Sequence, residues 1–140
     1  DGLIIVDLPP EEDDELCVHC LESDLNFIRL LTPTSDNKRL ERLLKNTSGF
    51  LYYVSIAGVT GTKVPVKKSV EKDLIRIKEK TSTPVCVGFG IKNSDDAKEI
   101  ARLGDGVVVG SAIIEKINTN KSEKKVFDFI KNLSKAVHLI

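Results

Sequence analysis

Short apolar runs alternate with segments of helical spacing along this sequence, and no other feature constrains the fold as strongly. Five runs rich in Val, Ile and Leu are predicted to be strands buried on both faces, and they cover residues 3–7, 27–31, 50–55, 84–88 and 106–110. Between them, apolar residues recur every three or four positions, which predicts amphipathic helices. Strict alternation with short connections predicts an α/β fold with parallel strands and right-handed crossovers.

The helix starts have recognisable capping residues. Ser35, Ser69, Asn93 and Ser122 each stand just before a periodic segment, as N-cap residues do. Pro10 opens the first helix, and the acidic run 11–15 that follows is expected to be a solvated helix start favoured by the helix dipole.

Two architectures fit this pattern. An eight-unit (βα)8 TIM barrel of about 250 residues uses about 31 residues per βα unit, so a chain of this length supplies roughly five units. A flavodoxin-like open sheet of five strands fits the same count. The count alone leaves both open.

Glycine-rich turns after the later strands favour the barrel. Gly88–Asn93 and Gly110–Ala112 each end a predicted strand and lead into a helix, where backbone amides can bind an anion. Barrels bind phosphate after their last two strands, whereas an open sheet normally places its phosphate loop after the first. These two strands are therefore interpreted as the last two of a barrel.

A third glycine-containing segment, Ser55–Lys63, follows the strand at 50–55. Gly58 and Gly61 flank Thr60, a composition typical of a mobile closing loop, although a plain surface turn has the same residues. Asp7, at the end of the first strand, is expected either to face the active side of the barrel or to cap its loop. Tyr52 and Tyr53 are adjacent, so one faces the barrel interior and the other the helices.

Composition excludes several classes of function. The chain has 21 basic and 21 acidic residues and no basic block, so nucleic acid and anionic membranes are not expected as partners. No apolar stretch approaches the roughly 20 residues of a membrane helix, and no signal segment opens the chain. Three cysteines, an odd number, fit a reducing compartment, and a cytoplasmic location is expected.

Cys17 and Cys20 have the C-x-x-C spacing of a zinc half-site or a redox pair. No second Cys or His pair follows at zinc-binding distance, and the motif is predicted to lie deep in the first helix, whereas redox pairs lie at helix starts. The two cysteines are therefore predicted to be small core residues, and no metal site is expected. His19 and His138 are predicted to face solvent.

Four segments together resemble the tryptophan synthase alpha subunit family in order and spacing: 7–12 (DLPPEE), 52–61 (YYVSIAGVTG), 88–91 (GFGI) and 110–113 (GSAI). The resemblance covers the whole chain, from the fourth barrel strand to the last helix. It implies a (βα)8 barrel that cleaves indole-3-glycerol phosphate to indole and glyceraldehyde 3-phosphate. It also implies an alpha2beta2 assembly in which pyridoxal phosphate belongs to the beta subunit, so that this chain needs no cofactor.

The resemblance also implies residue roles. Substrate phosphate would bind at Gly61, Gly90, Gly110 and Ser111, with Phe89 beside it, and the indole pocket would be lined by Ile4, Leu30 and Tyr52. The closing loop would comprise Gly58, Val59, Thr60 and Lys63, with Thr60 reaching a catalytic aspartate. Asp7 and Pro9 fall in the region of contact with the beta subunit.

The resemblance assigns no catalytic acid or base to this stretch. The family's glutamate and aspartate belong to the second and third barrel units, so residues 1–140 are expected to be the C-terminal portion of one barrel domain. The absence of Met and the start next to a core strand also suggest that residues precede Asp1. Ile56 stands where some relatives have arginine, which puts a salt bridge closing the loop in doubt.

Overall fold

The computed structural model describes residues 1–54, 63–88, 90–120 and 122–138, with the backbone alone at 63–67. The described strands are β1 (Gly2–Ile4), β2 (Asn26–Leu31), β3 (Leu51–Val54), β4 (Val85–Gly88) and β5 (Gly106–Val107). A 3₁₀ segment, Pro10–Glu15, precedes the helices α1 (Cys17–Glu22), α2 (Asn37–Lys45), α3 (Lys63–Lys78), α4 (Ser94–Ala101), α5 (Ser111–Thr119) and α6 (Glu123–His138).

The order of the strands decides between the two predicted architectures. All four strand pairs are parallel, and the strands are neighbours in the order in which they occur, β1-β2-β3-β4-β5. A flavodoxin-like sheet has the order 2-1-3-4-5, because its chain reverses direction across the sheet. Consecutive order is that of successive units in a barrel wall, so the open-sheet alternative is wrong and the barrel prediction is confirmed.

The main core lies between the sheet and the helices. Side chains that alternate along β2, β3 and β4 point to this side and are almost fully buried, namely Leu31, Leu51, Tyr53, Val85 and Val87. Leucines of α2, the apolar face of α3 and Ala97 of α4 cover them. We call the opposite side of the sheet the inner face, and its residues include Ile4, Leu30, Tyr52 and Cys86.

Two of the predicted helix caps are wrong. The cap of α2 is Asp36, whose side chain accepts a hydrogen bond from the Arg39 amide, while the Ser35 hydroxyl accepts one from the Thr32 amide. Ser69 lies inside α3, which begins at Lys63. Asn93 caps α4 as predicted, and α6 begins at Glu123, directly after Ser122.

The first predicted helix is two separate pieces. The backbone is non-helical at Glu12 and at Leu16, so α1 begins at Cys17 and the C-x-x-C motif lies at a helix start rather than deep within one. Both cysteines are nevertheless buried, and the Cys17 Sγ donates to the Asn46 carbonyl at 3.2 Å. Burial raises the pKa of the Cys17 thiol, which fits core packing and not a reactive thiolate.

Candidate functional site

Two glycines, Gly88 and Gly90, lie at the carboxyl end of β4. Gly88 ends β4, and the ring of Tyr52 from β3 occupies the space that a Cβ on Gly88 would need. Gly90 has a φ of +43°, which a residue with a side chain adopts only with strain. The backbone after β4 is therefore shaped by glycine, with Tyr52 packed against its first residue.

The starts of α4 and α5, which follow the carboxyl ends of β4 and β5, differ in the polar groups that they leave available. At α4 the Asn93 side chain accepts from the Asp96 amide at 2.9 Å, and Asp95 and Asp96 already place negative charge in the first turn. Gly110 precedes α5, where the described residues provide no side-chain cap and the first turn holds no acid. The Ile113 and Ile114 amides donate to the Gly110 carbonyl, whereas the Ser111 and Ala112 amides have no acceptor among the described residues. These two amides and the helix dipole can therefore bind an anion.

The inner face brings the three predicted pocket residues onto one surface. Leu30 pairs with Tyr52 across β2 and β3, and Ile4 on β1 pairs with Ile28, two residues before Leu30. Residues in register on parallel strands point to the same side, so Ile4, Leu30 and Tyr52 line one apolar surface. Such a surface suits an apolar or aromatic group of a ligand.

Cys86 belongs to this surface, and the sequence analysis missed it. It pairs with Tyr52 on one side and Gly106 on the other, and its Sγ lies 2.8 Å from where a Cβ on Gly106 would be. Burial, and then the charge of Asp105, raise the pKa of this thiol, so it is neutral at pH 7. Strict alternation from Val85 would have identified it as inward-facing.

Asp7 and Pro9 follow the carboxyl end of β1. Both line a cleft of about 670 Å³ with Arg29, Thr34 and Arg39 as further lining residues. Asp7 is exposed and Pro9 is half-buried. The structure thus places both residues at an accessible rim.

A buried ion pair beneath this rim contradicts the prediction that the whole acidic run is solvated. Asp13 is buried and forms an ion pair with the buried Arg29 of β2. An arginine inside an otherwise apolar strand was the available signal, because a charge there requires a buried partner.

Several predicted site residues lie outside the described residues: Ile56, Gly58, Val59, Thr60, Gly61 and Phe89. Lys63 begins α3, and its side chain is likewise not described. Within the described ranges, no group of three His, Cys, Asp or Glu side chains is arranged to hold a metal ion. None of the described helices has the length and apolar character needed to cross a bilayer.

The family model described as tryptophan synthase alpha chain matches residues 1–138. The tryptophan synthase subunit alpha of Legionella pneumophila str. Paris is 31% identical, with a TM-score of 0.83, and the match covers 100% of this chain and 53% of that one. Subunit alpha of Campylobacter jejuni is 30% identical, with a TM-score of 0.86 and coverages of 94% and 53%.

A tryptophan synthase structure from M. tuberculosis, the open form with BRD0059 bound, is 28% identical with a TM-score of 0.83. The match covers 97% of this chain and 50% of that one. The chain therefore spans about half the length of the solved structures that it matches.

Proposed function

Since the chain belongs to the tryptophan synthase alpha chain family, we propose that its full-length polypeptide cleaves indole-3-glycerol phosphate to indole and glyceraldehyde 3-phosphate. The 140 residues would carry the phosphate-binding and closing-loop half of that active site. The two catalytic carboxylates are expected in the part of the family's length that this chain does not span.

The uncapped start of α5 is the observation that carries this proposal. A phosphate needs donors and positive potential, and the Ser111 and Ala112 amides at the start of α5 supply both, with no carboxylate in the first turn to compete. The apolar inner face lies on the neighbouring strands, so one ligand with a phosphate at one end and an indole at the other would satisfy both surfaces.

The chemistry assigns this half a binding and orienting role. Cleavage requires an acid that protonates the indole ring carbon and a base that takes the proton of a glycerol hydroxyl. Anchoring the phosphate at Gly110 and Ser111, with Gly61 and Gly90, would hold the scissile bond at a constant distance from those groups. Phe89 would flank the phosphate, and Tyr52, Leu30 and Ile4 would fix the plane of the ring.

The closing loop and the partner belong to the same proposal. Gly58, Val59, Thr60 and Lys63 would close over bound substrate and exclude water, with Thr60 reaching the catalytic aspartate. Asp7 and Pro9 would contact the tryptophan synthase beta subunit in an alpha2beta2 assembly. That subunit would receive the indole and hold the pyridoxal phosphate, so no cofactor is assigned to this chain.

The test is indole release from indole-3-glycerol phosphate by the full-length polypeptide, measured with and without the beta subunit. In the variant Ser111→Glu a carboxylate stands at the start of α5, where the helix dipole stabilises it but the substrate phosphate is repelled. We expect KM to rise at least tenfold, a loss of about 1.4 kcal/mol of binding, with an unchanged melting temperature.

Ser94→Glu is the matched control, because it introduces the same charge at the start of the already capped α4. Its KM should change by less than a factor of about three. Turnover of a different phosphorylated compound, with no indole formed, would assign the chain to another phosphate-binding barrel activity. Ligand binding with no turnover by the full-length polypeptide would instead indicate a binding module.

A further inference from the structure

The segment between β1 and the 3₁₀ helix, residues 5–9, is neither helix nor strand, yet it presents two of its side chains outward. Ile5 and Leu8 pack against the small core of Cys17, Cys20 and Phe27. Val6 is 72% exposed, and Asp7 is exposed beside it. An apolar and an acidic side chain are thus displayed together at the rim of the 670 Å³ cleft.

A buried side chain of β2, Arg29, holds the backbone of this displayed segment by a hydrogen bond. The Arg29 Nη1 donates to the Leu8 carbonyl at 3.1 Å, and its Nη2 forms the ion pair with Asp13. Asp13 also accepts from the Asn46 side chain at 2.8 Å, at the end of α2. The Arg29 guanidinium lies 4.5 Å from the centre of the Phe27 ring.

Stability alone does not explain the buried ion pair of Arg29 and Asp13. Arg29 is 3% exposed and its Nε has no hydrogen-bond partner among the described residues. Apolar residues of similar volume in place of a buried pair are often neutral or stabilising. What an apolar side chain lacks is a planar donor that can hold a carboxylate and the Leu8 carbonyl at once.

We propose that Arg29 is a positioning residue that fixes the Val6–Pro9 segment, through the Leu8 carbonyl, in the conformation that binds the tryptophan synthase beta subunit. This inference rests on the proposed function. Arg29 is almost fully buried, on the helix side of β2 and under the segment, so we assign it a positioning role and not a partner contact. Because Arg29 already holds the segment in the free protein, the segment loses less conformational entropy when the partner binds.

The test compares beta-subunit affinity with stability in the double variant Arg29→Met with Asp13→Leu. This pair of changes removes the Leu8 anchor without leaving an unpaired buried charge. We expect the melting temperature of the full-length alpha subunit to stay within a few degrees and indole release without the beta subunit to be unchanged. The Kd for the beta subunit, measured by titration calorimetry, should rise about tenfold.

Lys80→Met with Glu41→Leu is the matched control. It removes an ion pair of 2.7 Å between α2 and the end of α3, at a place without contact to residues 5–9. Its Kd for the beta subunit should equal that of the wild type. Arg29→Lys is the second variant, because an ammonium keeps the charge for Asp13 but has no planar fork to reach Leu8 as well.

Equal Kd values for the wild type and a folded Arg29 variant would overturn the proposal. If neither variant folds, Arg29 maintains the fold rather than the segment, and the proposal is also overturned. Failure of the proposed function is distinguishable from both outcomes, because the wild type itself would then bind no beta subunit.

Discussion

At the scale of single residues, the Tyr52 ring fills the space beside Gly88 on the inner face that a side chain at position 88 would need. The ring and hydroxyl of Tyr52 lie where a side chain on Gly88 would begin. Folded proteins are packed too densely to absorb an extra methyl group at such a contact without moving a neighbour. The absence of a side chain at position 88 therefore determines where the Tyr52 ring lies, and with it the shape of the predicted indole pocket.

Gly88→Ala is expected to destabilise the full-length protein by about 1–3 kcal/mol, the usual cost of overpacking. It should also raise KM for indole-3-glycerol phosphate. In the double variant with Tyr52→Ala the clash is gone, so the cost of Gly88→Ala should largely disappear. Urea denaturation of the four proteins measures this coupling, and simple additivity would show that the ring and residue 88 are independent.

Tyr53, on the opposite side of β3, is fully buried and donates from its hydroxyl to Asp73 of α3 at 2.7 Å. Burial, together with the neighbouring carboxylate, raises the pKa of Tyr53, so the hydroxyl remains a donor at all ordinary pH values. Tyr53→Phe should cost about 2 kcal/mol, because hydrogen bonds to charged groups contribute more than neutral ones.

Asp73→Asn serves as the comparison for Tyr53→Phe. It keeps an acceptor for the hydroxyl and removes only the charge, so the loss in the free energy of unfolding should be smaller. A larger loss for Asp73→Asn would mean that the 3.6 Å ion pair with Arg76 stabilises α3 more than the tyrosine does.

Residue identities could be predicted where the contacts are local. The alternation of Tyr52 and Tyr53 and the Asn93 cap follow from spacing alone, and the structure has both. The partnership of Asp13 with Arg29 joins positions far apart in sequence, and local patterning indicates only that Arg29 needs some partner. Ser35 and the neighbouring Asp36 are both residue types that cap helices, and the path of the backbone makes Asp36 the cap of α2.

At the scale of elements, Asp105 joins β4 to the turn before β5. One of its carboxylate oxygens accepts from the Val85 amide at 2.8 Å and the other from the Lys78 ammonium at 2.7 Å. Partial burial raises the pKa of Asp105, but the hydrogen bonds from Lys78 and the Val85 amide outweigh it, and the net pKa is lowered.

The lowered pKa of Asp105 predicts a pH-dependent stability. A carboxyl whose pKa is lower in the folded state stabilises fully above its unfolded pKa, about 3.9, and loses that contribution as pH falls through the folded value. Asp105→Asn should therefore be less stable than the wild type at pH 7, and the difference should shrink below pH 4. Urea denaturation between pH 7 and 3 measures this, and a constant difference would contradict it.

The existence of the elements could be predicted better than their ends. All five apolar runs overlap a strand, but β5 has two residues where five were expected, and β1 ends at Ile4 rather than Asp7. The apolar residues continue beyond the last hydrogen bonds between neighbouring strands. An apolar run therefore indicates which residues are buried and not which residues pair in the sheet. The division after Pro10–Glu15 was not predictable, because it depends on backbone angles at Glu12 and Leu16.

At the scale of the whole molecule, the two outer strands leave apolar and backbone groups unpaired within the described structure. β1 and β5 form the two edges of the sheet, and on β1 Leu3 is 36% and Ile4 is 40% exposed. Unpaired strand edges of this kind promote association. The 140-residue chain alone is expected to be unstable or to pair with a second copy.

Sedimentation velocity at several concentrations of the 140-residue chain tests this expectation. Its mean sedimentation coefficient should rise with concentration, and thermal unfolding followed by circular dichroism should be broad or irreversible. A sharp, reversible melt of a monomer would contradict the expectation, and it would mean that the edges are protected in solution.

The consecutive order of the strands also has a consequence for how the chain acquires its structure. Each strand pairs with the one made just before it, and paired positions are only about 20 to 34 residues apart in sequence. Such short separations keep the entropy of loop closure low and favour rapid assembly. During synthesis, β1 and β2 can pair before β5 leaves the ribosome, so the wall can grow one unit at a time in the direction of translation.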